Sequence, residues 1–147
     1  MLKLIPNIIL ALGLLLISFH SVAQDNVDIK KMVGFACYYS GEPTKSVIKV
    51  TKLLQNSNYN KISSLLTSRN SGEKFLAVII LQKLSEVKKY ELNQEERSLI
   101  LKLKSSDELV SVCYGCIYFD KLPMRILLSE PNYIGYNYWL DNLIKEE

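Results

Sequence analysis

Ser105-Ser106-Asp107-Glu108-Leu109-Val110-Ser111-Val112-Cys113-Tyr114-Gly115-Cys116-Ile117-Tyr118-Phe119 is the stretch on which the fold turns. Two readings compete for it. Ser105 with Glu108 has the spacing of a capping box, in which two side chains satisfy two otherwise unpaired backbone N–H groups at a helix start. Val110, Val112, Ile117 and the aromatics favour strands instead, because β-branched and ring side chains suit a pleated surface. With the box in front, the expectation is a helix over Leu109 to Phe119.

The flanking segments read as helices too. Pro43 opens one over roughly Thr44 to Asn56, where Val47, Val50 and Leu54 recur at helical spacing with Ile48 beside them. Asn58 can cap a second, carrying Ile62, Leu65 and Leu66. A box at Asn70 and Glu73 starts a third, which is apolar on every side from Phe75 to Leu81 and is therefore expected at the centre of the molecule. Lys88 and Lys89 suit the negative end of its dipole. Another box, Asn93 to Glu96, introduces Leu99, Ile100 and Leu103. Pro123 suits the first turn of a short helix to Leu128, and a last helix, Tyr136 to Lys145, carries Trp139, Leu140, Leu143 and Ile144. The fold class that follows is all-α: a small stack of antiparallel helical hairpins with capping helices.

Composition narrows the chemistry. The chain has 147 residues, 18 Lys+Arg, 15 Asp+Glu, three Cys and one His. Met1 to Ala23 reads as a cleaved signal peptide, with Lys3 as its basic start, Ile8 to Phe19 as its apolar segment and Ser21-Val22-Ala23 as its cleavage site. That apolar segment is shorter than the roughly 20 residues a bilayer requires, so no stable membrane anchor is expected after cleavage. No cysteine stands at the cleavage point, which argues against a lipoprotein. Residues 24–147 then form a single helical domain, secreted or periplasmic. The only histidine, His20, leaves with the leader, and with it Ser-His-Asp and Cys-His catalysis and histidine metal sites. The near-neutral remainder has no clustered basic face, so nucleic acid is not an expected partner.

A weak internal repeat runs through the middle. Leu66, Ser68, Asn70, Phe75 and Ile80 recur in order as Leu103, Ser105, Asp107, Val112 and Ile117. Leu65-Leu66-Thr67-Ser68-Arg69-Asn70, followed by Lys74, Ala77, Leu81 and Leu84, resembles a HEAT repeat. Asn70 takes the turn position, Lys74 the basic position, Ala77 a small packing position, and Leu81 and Leu84 the leucine ladder. The second copy departs from it, with Ser111 at the basic position and Cys113, Gly115 and Cys116 near the small ones. The resemblance covers about Asn58 to Leu122. It implies HEAT-like α-α layers and protein-binding scaffolding rather than chemistry, with the flanking helices as caps.

Export would place Cys37, Cys113 and Cys116 where disulfides persist. Three is odd, so at least one is free, paired between chains, or in exchange, and packed, unpaired thiols are a further reading. Cys37 bonded to Cys113 or to Cys116 would tie the N-terminal patch to the C-terminal part, stabilising the fold by about 4 kcal/mol in the chain-entropy model. The alternative is a thiol-disulfide redox protein using the Cys113-Tyr114-Gly115-Cys116 pair. Zinc takes four ligands, and three Cys without His leave that set incomplete, so no metal and no cofactor are expected. Glu95-Glu96 point about 100° apart on a helix and do not share a reacting group. Ser63-Ser64 and Ser105-Ser106 have no histidine base, and the scattered glycines form no phosphate loop.

Tyr133, Tyr136, Tyr138 and Trp139 are the densest aromatic cluster and the candidate binding residues, for a protein partner or, on a third reading, for a sugar or peptide. The plainer reading is that Trp139 and one or two tyrosines close the end of the core. A second patch, Phe35, Tyr38 and Tyr39, carries Cys37 and is expected to meet the first if the disulfide forms. The expected function is a non-catalytic interaction module (accessory, inhibitor or immunity-type) whose partner is another protein.

Overall fold

A computed structural model describes residues 27–130 and 132–145. The signal-peptide reading of residues 1–23 lies outside them. The order of elements is α1 (Lys45–Gln55), α2 (Tyr59–Ser64) running into a 3-10 turn at Leu65–Thr67, α3 (Ser71–Glu86), α4 (Gln94–Lys104), β1 (Leu109–Tyr114), β2 (Tyr118–Pro123), α5 (Met124–Ser129) and α6 (Tyr136–Leu143).

α3 is the axis of the fold. Every residue from Phe75 to Leu81 is buried, as is Leu84, and α1, α2, α4, α5 and β1 all pack against this helix. Such a helix needs a firm start. Asn70 Oδ1 accepts the backbone N–H groups of Gly72 and Glu73. The box is not reciprocal, because the Glu73 carboxylate instead takes Lys49 and Ser68, each at 2.6 Å. At α4 the full box forms: Asn93 caps Glu96, and the Glu96 carboxylate accepts the Asn93 N–H.

Two of these helices stop without glycine. Beyond α1, the amides of Ser57 and Asn58 bond back to the carbonyls of Leu54 and Leu53. Beyond α3, those of Lys88 and Lys89 bond back to Ser85 and Leu84. This paired closure needs a left-handed residue just past the helix. Ser57 (φ 52°) and Lys88 (φ 59°) adopt that conformation despite their side chains.

The chain is not an all-α stack of helical hairpins. Leu109 to Phe119, expected as a helix, lies in a β-hairpin whose strands pair antiparallel from Leu109 with Pro123 to Tyr114 with Tyr118. The local signal in front of it is spent elsewhere. Ser105 Oγ donates back to the Leu101 and Lys102 carbonyls and so belongs to the end of α4. Glu108 is held by Lys74, and its N–H goes to Ser106 Oγ. No capping box therefore forms between Ser105 and Glu108.

Burial on both faces of β1 makes the strand. Val110 and Val112 point into the helical core. Ser111 and Cys113 point the other way, towards residues 27–44, an N-terminal strap laid along the second edge of β1. The Val33 N–H donates to the Ser111 carbonyl at 2.8 Å, the Cys113 N–H to Val33 at 2.9 Å, and the Gly115 N–H to Ala36 at 3.0 Å. Met32, Cys37 and Cys113, with Val27 and Phe119 against them, form a second small core between strap and hairpin. A helix would have turned Ser111 and Cys113 away from that strap. The strap also passes close over α3. A Cβ on Gly72 would collide with the Lys31 carbonyl and stand 2.8 Å from a Val33 methyl.

Candidate functional site

The site is built at the turn end of the hairpin. Gly115, at φ +64°, lets β1 reverse into Cys116 and Ile117 and then β2. Beside the turn runs the strap, with Cys37 bridged in parallel to Gly115 and in antiparallel to Glu42. That brings Cys37 to Cys113, and the two form a disulfide with Cα atoms 5.8 Å apart. Gly34 makes room for it: a Cβ there would run into the Cys37 sulfur and lie 2.6 Å from that of Cys113. The CxxC therefore does not pair within itself here. Cys113 is bonded to Cys37, and Cys116 is an exposed thiol.

The four candidate aromatics separate into two roles. Tyr136 is buried and meets Phe75 edge-on at 5.6 Å between ring centroids, so it is a core residue. Burial, and then the charge of Glu86, push its phenol above the ordinary range. Trp139 is half-buried on Phe35, with centroids 4.9 Å apart, which joins the C-terminal cluster to the strap. Tyr133 and Tyr138 remain exposed.

Tyr133 gains a neighbour that sequence reading did not single out. Its hydroxyl lies 3.1 Å from that of Tyr118 on β2, and Tyr118 donates to Asp120 Oδ2 at 2.9 Å. The Tyr133 hydrogen bond, burial and the Asp120 carboxylate together push the Tyr118 phenol well above its ordinary range. Tyr114, across the strand pair from Tyr118, lies next to Gly135. The sequence signal for these residues was present: Tyr118 and Asp120 alternate along a strand, as do Val112 and Tyr114. On a helix, residues two apart point to nearly opposite sides, so an expected helix hides that pairing.

The result is an aromatic end. Tyr39 is 97% exposed and Ile117 88%, with Tyr38, Tyr114, Tyr118 and Tyr133 also open to solvent. The other exposed large hydrophobic residues, Ile29, Ile48, Leu101, Leu109 and Tyr138, are spread over different parts of the chain. Tyr38 stacks at a tilt on Phe119, 5.8 Å between centroids, and so joins the strap side to β2.

Away from this end, a cleft of about 360 Å³ lies between α3 and α6. Lys83 and Asp141 pair across it at 2.8 Å, and Gln82, Glu86 and Lys104 complete a polar lining. Among the described residues no group of His, Cys, Asp or Glu is arranged to hold a metal ion, and no helix is long and apolar enough to cross a membrane. The disulfide is compatible with an oxidising environment. Compared with family models, curated proteins and solved structures, the chain matches none.

Proposed function

We propose that this chain is a secreted or periplasmic protein-interaction module, of accessory, inhibitor or immunity type and without catalysis of its own, whose partner is another protein. The observation that carries the reading is the aromatic hairpin end, where Tyr39, Tyr114, Ile117 and Tyr133 stand in solvent around a tip fixed by a disulfide. Tyrosine gives large contact area and a polar tip at low cost in side-chain entropy, which is why it is enriched where proteins bind proteins. A tip held by disulfide and strap loses little further freedom on docking. Export is supported by the leader-like residues 1–23 and by a disulfide that an oxidising compartment preserves.

Two measurements test the reading. Fractionation with N-terminal sequencing is expected to find a chain beginning at Gln24 outside the cytoplasm; a cytoplasmic chain starting at Met1 refutes export. Capture from that compartment with the intact protein and with a Tyr39→Ser/Ile117→Ser/Tyr133→Ser variant is expected to give one stoichiometric protein that the variant loses. Equal capture by the variant removes the hairpin end from consideration.

A further inference from the structure

The backbone brings three cysteines to the tip end of the hairpin, and only two of them are bonded. Cys37 and Cys113 form the disulfide, while the Cys116 thiol is exposed. Cys116 is close to both half-cystines by backbone: it is separated from Cys113 by Tyr114 and Gly115, and it directly follows the residue bridged to Cys37. The turn that carries it is uncrowded at Gly115, where nothing lies within 4 Å of the Cβ position.

We propose that Cys116 is a resolving thiol that exchanges with the buried disulfide. The Cys116 thiolate attacks Cys113 Sγ, the Cys113–Cys116 bond forms, the Cys37–Cys113 bond breaks, and Cys37 departs as a thiolate that takes up a proton equivalent to the one Cys116 released. One disulfide and one thiol stand on each side of the step, so it needs neither oxidant nor reductant. A tie spanning 76 residues is traded for a local one, and the strap is covalently released from the hairpin. Strap and hairpin are then joined by the backbone bonds from Val33 and Ala36 and by the small core around Met32. That core also sets the rate. Cys113 is fully buried beneath Met32, Val27 and Phe119, so in-line attack requires the strap to open first. The exchange acts on the same Cys37–Cys113 bond that fixes the tip in the interaction reading, but bond mapping tests it separately from partner capture.

The experiment uses the oxidised, full mature chain at mildly alkaline pH, without added thiol and under inert gas, quenched in acid, alkylated and mapped by mass spectrometry over time. The expected result is a growing Cys113–Cys116 species with alkylated Cys37, at a rate independent of protein concentration, raised several-fold by Met32→Ala and absent in Cys116→Ser. Unchanged Cys37–Cys113 with alkylated Cys116 at all times overturns the proposal, as does a Cys37–Cys116 bond, which would keep the strap tied. A rate proportional to protein concentration overturns the intramolecular step. Independently, Cys37→Ala equilibrated with glutathione disulfide is expected to close Cys113 onto Cys116; two free or separately glutathionylated thiols overturn the geometry.

Discussion

Lys74 Nζ on α3 lies 2.9 and 2.8 Å from the two carboxylate oxygens of Glu108, fastening the central helix to the residue just before β1. The side chains are only 19% and 35% exposed. The pair positions the hairpin at its open end, as the disulfide does at its tip. Ser71 reinforces it by donating to the Leu109 carbonyl at 2.8 Å.

Truncating either partner leaves the other half-buried and unmatched. Lys74→Met or Glu108→Gln is expected to cost about 1–2 kcal/mol, with a coupling near 1 kcal/mol because the pair is partly screened by solvent. A double-mutant cycle from urea unfolding measures both values; additive single costs would show that the two do not interact.

Lys88 and Ser57 hold left-handed conformations that glycine adopts without strain. Lys88→Gly and Ser57→Gly should each raise stability by about 0.5–1 kcal/mol, the relief of backbone strain exceeding the added freedom of the unfolded chain. Thermal unfolding reads this directly, and the same change at Lys52, inside α1, should lower stability by about 1 kcal/mol.

Gly72 is confined by the strap, which approaches too closely for a side chain. Gly72→Ala, normally favourable inside a helix, is expected to destabilise by about 1–3 kcal/mol through forced separation of strap and helix. Hydrogen exchange should show the loss concentrated at the Val33 and Cys113 amides. An unchanged or higher melting temperature would mean that the strap yields freely.

Glu96 is buried yet ionised. Burial alone would raise its pKa, but hydrogen bonds from Ser63, from Tyr90 at 2.7 Å and from the Asn93 N–H outweigh it and hold the carboxyl below its ordinary value. The folded state therefore binds this proton less readily than the unfolded chain. Its contribution is complete above the unfolded value of about 4.5 and drains away as pH falls through the lower folded value. Glu96→Gln should cost about 1–3 kcal/mol at neutral pH and flatten part of the acid limb of stability. Glu73, held low by Lys49 and Ser68 against its own burial, carries another part of that limb. A limb as steep in Glu96→Gln as in the parent would remove Glu96 from the acid response.

The helices were legible because their signals are short-range. Asn70 and Asn93 each find their amides within the next three residues, and these caps hold whatever packs around them. The uniform apolarity of Phe75 to Leu81 required a helix surrounded by other elements, and the structure has one. The hairpin is hidden in the sequence because the residues that look like a helix cap in front of it belong to other elements. Ser105 finishes the helix before it, and Glu108 serves a lysine on α3.

Local sequence sets where most helices begin and which helix lies at the centre, while leaving the pairing of the three cysteines open. Tertiary structure decided that Leu109 to Tyr114 is a strand, that Cys37 takes Cys113, and that Tyr114, Ile117, Tyr118 and Tyr133 share one exposed end. The physical reason is range. A cap or an apolar stripe is satisfied within a few residues, whereas a strand is held by its partners. For β1 those partners are α3, β2 and a strap from the other end of the chain, and no local pattern in β1 records them.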